Sequence, residues 1–423
     1  MSQPEKNYLD LFRTSFEIFS YNNQLYSLLC AHVLLGQVLR NIKLYFGPIY
    51  IDARVSLFFM QPSGTGKSTP VDFIGDIAKK SGLKMGDIDE ISDAALVGHV
   101  DDEEVIDPET RVKTVTHNVV KGKLSEYDLL HYDEGKMLLT KSSYAQNALT
   151  WFQKALNPIG SGQNLITKNL KHGEISFHPF CSLLITTHDI ENLLPVILDT
   201  GFFQRVMFYP RYVTIPERKR NEMIRCDRFG NKIWSELDVE EIAKKLTLCA
   251  KEYQNYEVKV SDNARPLLRQ GVESHYRLIE SANEHVKEIV ATFVPRYNNL
   301  MYILSVHHSC VNFKKEIDIA DAKYGMENSF LLLKDVIAWV EENINITKLT
   351  SRDQQYLIRA YQIYKVMEKD EHGYVHLVPF LRNCSEQWRL SMQSVNRRMD
   401  RFKGYGKVKQ IKVNNQDMIK IEL

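Results

Sequence analysis

No run of about eighteen or more apolar residues occurs in the chain, so no membrane-spanning helix is written into it. Cysteine is scarce. The six, at positions 30, 181, 226, 249, 310 and 384, form no C-x-x-C pair and are scattered among mostly apolar neighbours. That pattern argues against a disulfide framework or a zinc site and for buried free thiols in a reducing compartment. The opening residues Met1 to Lys6 lack the charged and apolar regions of a signal peptide, so the expected location is the cytoplasm, or the host cytoplasm if the source is a virus. Internal repeats and low-complexity tracts are missing too. What remains is ordinary globular material: 423 residues, 44% hydrophobic and 25% charged, enough for two or three domains with sizeable cores.

Net charge is only +1, but it is unevenly spread. From Ser351 onward there are 14 basic against 8 acidic residues, while the rest of the chain is mildly acidic. A basic C-terminal segment suggests a tail that meets a polyanion. Hydrophobic periodicity divides the chain further. Tyr8 to Leu44 carries apolar residues at helical spacing, and Tyr45 to about Val213 alternates short apolar runs with helical stretches, as an α/β domain does. Glu217 to Asn231 is charged and aperiodic, which predicts a linker; Ile233 to Ile346 reads as all helical.

Within the α/β stretch, Gln61-Pro62-Ser63-Gly64-Thr65-Gly66-Lys67-Ser68 follows the phosphate-binding template G-x-x-x-x-G-K-[ST], except that Gln61 replaces the first glycine. In that template the segment from Pro62 to Thr69 surrounds the phosphates, the glycine-rich turn pointing backbone N–H groups at them. Lys67 reaches the β/γ-phosphates and the Ser68 hydroxyl ligates Mg²⁺. Gln61 implies that its own position keeps a negative φ. The flanks suit the motif: Val55 to Met60 is a short apolar run of strand formers, and Thr69 to Lys80 has helical spacing with Pro70 in the first turn. ATP and Mg²⁺ are the expected cofactors.

A nucleotide site of this kind needs carboxylates on a neighbouring strand. Leu129 to Tyr132 followed by Asp133-Glu134 supplies them, Asp133 for the metal and Glu134 to polarise the attacking water. A further apolar run, Cys181 to Ile185, ends in Thr186-Thr187-His188; these polar residues either orient water and sense the γ-phosphate or simply cap the strand end. Arg205 follows the Gly201-Phe202-Phe203 turn and leads into another apolar strand. It either acts on a neighbouring subunit's γ-phosphate or pairs with a carboxylate at the core edge.

This ordered set of residues resembles the AAA+ ATPases of the helicase clade: minichromosome maintenance helicases, viral superfamily 3 helicases, and poxvirus-type and phage- or plasmid-borne replication helicases. The resemblance covers about Arg54 to Tyr212 and includes Ser92 to Gly98. It implies that Thr187 is the first sensor, Arg205 the arginine finger and Arg296, in Val294-Pro295-Arg296-Tyr297, a second sensor in a helical lid. It also gives a role to Leu165 to Phe177, two extended arms around a Lys171-His172-Gly173 turn. In such helicases the corresponding hairpin grips single-stranded DNA in the channel of a ring, so Lys171 and His172 become candidate DNA contacts. A solvated surface hairpin is the plainer reading.

The last seventy residues read as helix, short strand, helix, helix and hairpin, the pattern of a winged helix. Arg397, Arg398 and Arg401 on its second helix pair member, with Lys407 and Lys409 on the wing, are the candidate duplex-DNA contacts; Lys412 is expected on the same wing face. Some winged helices bind protein instead. The whole predicts an α/β P-loop AAA+ core (46–215) with a helical N-terminal segment (1–45), a helical lid (232–346) and a C-terminal winged helix (352–423). The expected activity is ATP-dependent DNA unwinding or translocation by a homo-oligomeric ring, most simply a hexamer, with no membrane partner. A DNA-binding AAA+ regulator and a packaging or defence ATPase that does not unwind stay open as alternatives.

Overall fold

The computed structural model describes residues 6–19, 24–62, 67–106, 113–133, 135, 138, 147–170, 173–188, 201–203, 205–211, 213–227, 229–230, 236–254, 256–282, 286–345, 351–404, 407–413 and 416–421. The chain forms two compact units, Met1–Ala338 and Trp339–Leu423. The first crosses the boundaries expected near 45, 215 and 232, because the N-terminal and later helices pack directly onto the α/β core.

At its centre is a five-stranded parallel sheet in the order β11-β3-β10-β7-β4. These strands are β3 (Leu57–Met60), β4 (Met85–Asp87), β7 (Leu129–Tyr132), β10 (Ser182–Thr187) and β11 (Met207–Pro210). All of β3, β10 and β11 is buried, which is why their sequences run apolar rather than alternating. Helix α1 (Tyr8–Phe19) and α2 (Gln24–Val38) cover one face beside α3 (Ser68–Lys80). Tyr26 of α2 stacks on Phe59 at 3.6 Å, and Phe12 and Phe16 of α1 meet Phe73 of α3. On the other face Phe58 packs against Phe202, Phe203 and Phe208.

Between these elements lie a small hairpin, β1 (Lys43–Phe46) and β2 (Ile49–Asp52), the short helices α4 (Asp93–Leu96) and α5 (Lys123–Glu126), and α6 (Ala148–Leu156). Ser92 caps α4, its hydroxyl accepting from the Ala95 N–H. A nine-residue-a-side hairpin, β5 (Gly98–Ile106) with β6 (Lys113–Lys121), was not expected from the sequence, although the β-branched run Thr114 to Val120 is its visible trace. Gly98 starts it with φ +125°, and a Cβ there would sit 2.3 Å from the Val120 carbonyl. The expected hairpin is also present, as β8 (Ile166–Leu170) paired with β9 (Gly173–Phe177) in register Leu170↔Gly173.

The stretch expected to be a linker is helical instead. Helix α7 (Ile215–Asp227) buries no residue, so it has no apolar periodicity to read. Its start is held by a capping box: the Thr214 hydroxyl and N–H both donate to Glu217, and the Glu217 N–H donates back to the Thr214 hydroxyl. The remaining helices of this unit are α8 (Glu236–Glu252), α9 (Arg265–Ser281), α10 (Lys287–Ala291), α11 (Val294–Val311) and α12 (Ile319–Asn345), the last running on past Ala338. Gly325 lets α11 and α12 touch, since a Cβ there would lie 2.3 Å from the Met301 carbonyl.

The second unit contains α13 (Ser351–Val366), β12 (Val375–His376), α14 (Leu377–Trp388), α15 (Met392–Gly404), β13 (Val408–Val413) and β14 (Gln416–Ile421), in the order read from the sequence. Its strands pair as β12-β14-β13 and its core is formed by Leu357, Phe380, Trp388, Val395, Met399, Phe402, Ile419 and their neighbours.

Candidate functional site

The chain leaves β3 toward one edge of the sheet, where β4 lies, and leaves β10 toward the other, where β11 lies. A crevice therefore opens beyond the carboxyl ends of these adjacent strands, the usual place for a ligand in an open parallel sheet. Gln61 and Thr187 meet at its floor, the Gln61 N–H donating to the Thr187 carbonyl at 3.0 Å. Gln61 is fully buried and does not adopt a positive φ, so a glycine is not required where it stands.

Residues 63–66, which include Ser63, Gly64, Thr65 and Gly66, lie outside the described residues, as do Glu134, Lys171 and His172. Their flanks are described. Lys67 sits at the N-terminus of α3, half-buried, with its ammonium donating to the Gln61 carbonyl at 3.2 Å. Burial lowers its pKa and the Asp133 carboxylate opposes that shift, so lysine and carboxylate feel each other across the crevice. Ser68 opens the helix exposed, Pro62 and Thr69 flank it half-buried, and the exposed Asp133 ends β7. The pair Ser68 and Asp133 suits Mg²⁺, which binds through one or two carboxylates plus substrate phosphates and keeps several waters. No group of three or more His, Cys, Asp or Glu residues that could hold a metal ion occurs among the described residues.

Register separates the two threonines at the tip of β10. Thr186 lies opposite Phe59 and Thr187 opposite Met60, so the two point to different faces of the sheet. Thr186 is the one that reaches the carboxylate, its hydroxyl donating to Asp133 Oδ1 at 2.6 Å. With its single proton so placed, the Thr186 oxygen accepts from His131 Nε2 at 3.1 Å, and His131 Nδ1 faces Asp87 Oδ1 at 2.8 Å. Thr187, expected beside the phosphates, does not make this contact; its hydroxyl is buried without a hydrogen-bond partner. Thr186, His131 and Asp87 thus form a chain behind Asp133 that sequence reasoning missed. Nothing local signals it, because it depends on how three separate strands align.

Two arginines are also placed by the sheet. Arg205 precedes β11, half-buried, with Nε on Asn157 Oδ1 at 3.1 Å and Nη1 on the Gly201 carbonyl at 2.8 Å. Arg296, expected as a second sensor, does not join Lys67. It lies against Asp52 and Arg54, which precede β3 at the other end of the sheet. Burial pushes its guanidinium down to about 10 against the pull of Asp52, and its Nε is buried without a partner. The cause is helix geometry: the next residue, Tyr297, is pinned by its hydroxyl to the Phe208 carbonyl inside the sheet. Beside it, Arg54 is fully committed to Asp52 and to the carbonyls of Ala155, Asn157 and Cys181.

In the second unit, Arg397 and Arg401 are exposed on α15, whose Val395, Met399 and Phe402 face the core. Arg398 turns inward, its guanidinium 4.2 Å from the centre of the Tyr356 ring, and so packs against α13 rather than pointing outward with the other two. Lys407 is half-buried before β13 and Lys409 is exposed on it. Lys412 shares the Val408 face by alternation, not the Lys409 face as expected.

Compared with protein-family models and with curated proteins, the chain matches none. No helix among the described residues is long and apolar enough to cross a membrane.

Proposed function

We propose that this chain is an ATP-driven DNA helicase or translocase of the AAA+ type that works as a ring. The observation carrying the proposal is the placement of Lys67 and Asp133 beyond the carboxyl ends of β3 and β7, two strands separated by a third, β10, whose Thr186 contacts the carboxylate. The lysine holds the β/γ-phosphates of ATP, Asp133 and Ser68 hold Mg²⁺, and Glu134 orients the attacking water. The metal would neutralise charge developing on the phosphates. Thr186 fixes the rotamer of Asp133 through its short hydrogen bond.

Arg205 supports the ring. It stands before β11, whose Met207 lies opposite Leu57 at the start of β3, whereas Lys67 follows the end of β3. The four-residue strand between these ends spans roughly 13 Å. Arg205 is therefore at the wrong end of its own sheet for its own nucleotide and suits a neighbour's. The β8–β9 hairpin precedes β10 in the chain, so motion of that strand reaches Lys171 and His172 through one continuous segment. Exposed Arg397, Arg401 and Lys409 on the basic C-terminal unit serve as duplex contacts.

Steady-state hydrolysis of MgATP and displacement of a labelled strand from forked DNA test the reading. Lys67→Ala should abolish both, and Lys171→Ala should leave basal hydrolysis while uncoupling it from DNA. DNA-stimulated hydrolysis without strand displacement in the wild type would indicate a DNA-bound nucleotide switch instead.

A further inference from the structure

Arg211 combines three features that no other described arginine shares. First, it follows β11 at the same end of the sheet as the crevice: its N–H donates to the Met60 carbonyl at 2.8 Å, one residue before Gln61. Second, alternation from Tyr209, which lies opposite Phe59, puts Arg211 on the face that carries Thr186 and α3. Third, its side chain is only 10% exposed, yet Nη1 is buried with no hydrogen-bond partner. The other terminal nitrogen, Nη2, is bound to Glu217 Oε1 at 2.9 Å. Asp335, on α12, interacts with the guanidinium through space.

A buried guanidinium with an orphaned nitrogen is costly unless something completes it. A polar partner at this place would come from the crevice, and a planar guanidinium matches a phosphate with paired hydrogen bonds. We propose that Arg211 is a phosphate ligand of the nucleotide bound in its own subunit, held ready by Glu217 while the site is empty. This rests on the reading of the crevice as an ATP site. It also divides labour between two arginines that flank β11: Arg205 precedes the strand, at the end away from its own crevice, and Arg211 follows it, at the crevice end. Glu217 is shared between Arg211 and the capping box of α7, so engagement of Arg211 by phosphate weakens the tie that holds the start of a helix that buries no residue.

The test is titration of the full-length protein with fluorescent ATP and ADP analogues in Mg²⁺, together with the KM for ATP. Wild type, Lys67→Ala, Arg211→Met, Arg211→Lys and Glu217→Gln are compared. Loss of one charge-assisted contact predicts about ten- to hundredfold weaker ATP binding for Arg211→Met, with partial rescue in Arg211→Lys. Glu217→Gln keeps the cation and breaks its latch, so ATP binding should be unchanged or tighter. Two results overturn the proposal. Either Arg211→Met binds ATP as the wild type does while Lys67→Ala does not, or Glu217→Gln loses ATP affinity as far as Arg211→Met does. The second would make Arg211 only a structural partner of Glu217. Should Arg211→Met fail to melt cooperatively, Arg211→Lys and Glu217→Gln still decide the matter. Absence of nucleotide binding by the wild type is a separate outcome, and it would remove the ATP reading along with this one.

Discussion

Thr186→Val and Thr187→Val are the same substitution at neighbouring positions of one buried strand, and the structure assigns them opposite consequences. The Thr186 hydroxyl donates to Asp133 Oδ1 at 2.6 Å and accepts from His131 Nε2 at 3.1 Å. A hydrogen bond to a carboxylate is worth roughly 1.5–3 kcal/mol, and the valine also leaves His131 Nε2 without its partner. If that energy is spent on holding Asp133 in the geometry that binds metal, turnover falls about ten- to hundredfold. Thr187 differs because its buried hydroxyl has no partner. Replacing it with an isosteric methyl removes a polar group that gains nothing from burial, so the nucleotide-free protein should be unchanged or up to about 1 kcal/mol more stable. Thermal denaturation and steady-state MgATP hydrolysis, measured side by side on both variants, give the comparison. A large loss of turnover in Thr187→Val with little change in Thr186→Val would show that the register argument fails and that the tip of β10 is used from its other face.

The buried histidines make stability depend on pH. His307 Nε2 donates to the Ala53 carbonyl, so its Nδ1 accepts from His32 Nδ1, and His32 Nε2 accepts from the Tyr324 hydroxyl; both rings are neutral in this chain. Burial pushes His307 down to about 4, and burial with two neighbouring histidines pushes His32 well below its ordinary value. A folded pKa below the unfolded value of about 6.5 means stability is complete above that pH and is lost as pH falls toward 4. The slope reaches about 1.4 kcal/mol per pH unit for each histidine. Midpoints recorded from pH 7 to 5 should drop steadily, and His307→Gln should flatten the curve; equal slopes in both proteins would contradict the assignment. In the C-terminal unit, Arg397→Ala and Arg401→Ala should weaken duplex binding with little change in melting. Arg398→Ala should instead destabilise by about 0.5–2 kcal/mol through loss of its stacking on Tyr356, as followed by denaturation and filter binding. An Arg398→Ala protein of unaltered stability would return that residue to the exposed set.

Much of the molecule was legible because local patterns carried it. The strand Leu57–Met60 and the helix Ser68–Lys80 that follows it, the pairing of Ile166–Leu170 with Gly173–Phe177 and the order of elements after Ser351 were all readable from apolar spacing and turn residues. Failures have specific causes. Helix Ile215–Asp227 buries nothing, so the periodic signal used to find helices is absent from it. The Gly98–Lys121 hairpin mixes charged and β-branched residues, which blurs the alternation that marks a strand, and the turn signal Asp107-Pro108 between its arms went unread. Arg296 was assigned by its place in the sequence of helices, yet helix packing turned it toward Asp52.

The sequence by itself determined which chemical groups are available: the lysine and serine after a glycine turn, the carboxylate after an apolar strand and the basic excess of the tail. Those follow from residue type and from periods of two and 3.6, which are properties of a short segment. Tertiary structure alone decided that Thr186 rather than Thr187 touches Asp133, that Arg205 and Arg211 sit at opposite ends of one strand, and that Arg398 packs inward while Arg397 does not. A one-residue change in strand register exchanges the two faces of a sheet. Register is set by the packing of elements distant in the chain, so no local pattern could have chosen between neighbours.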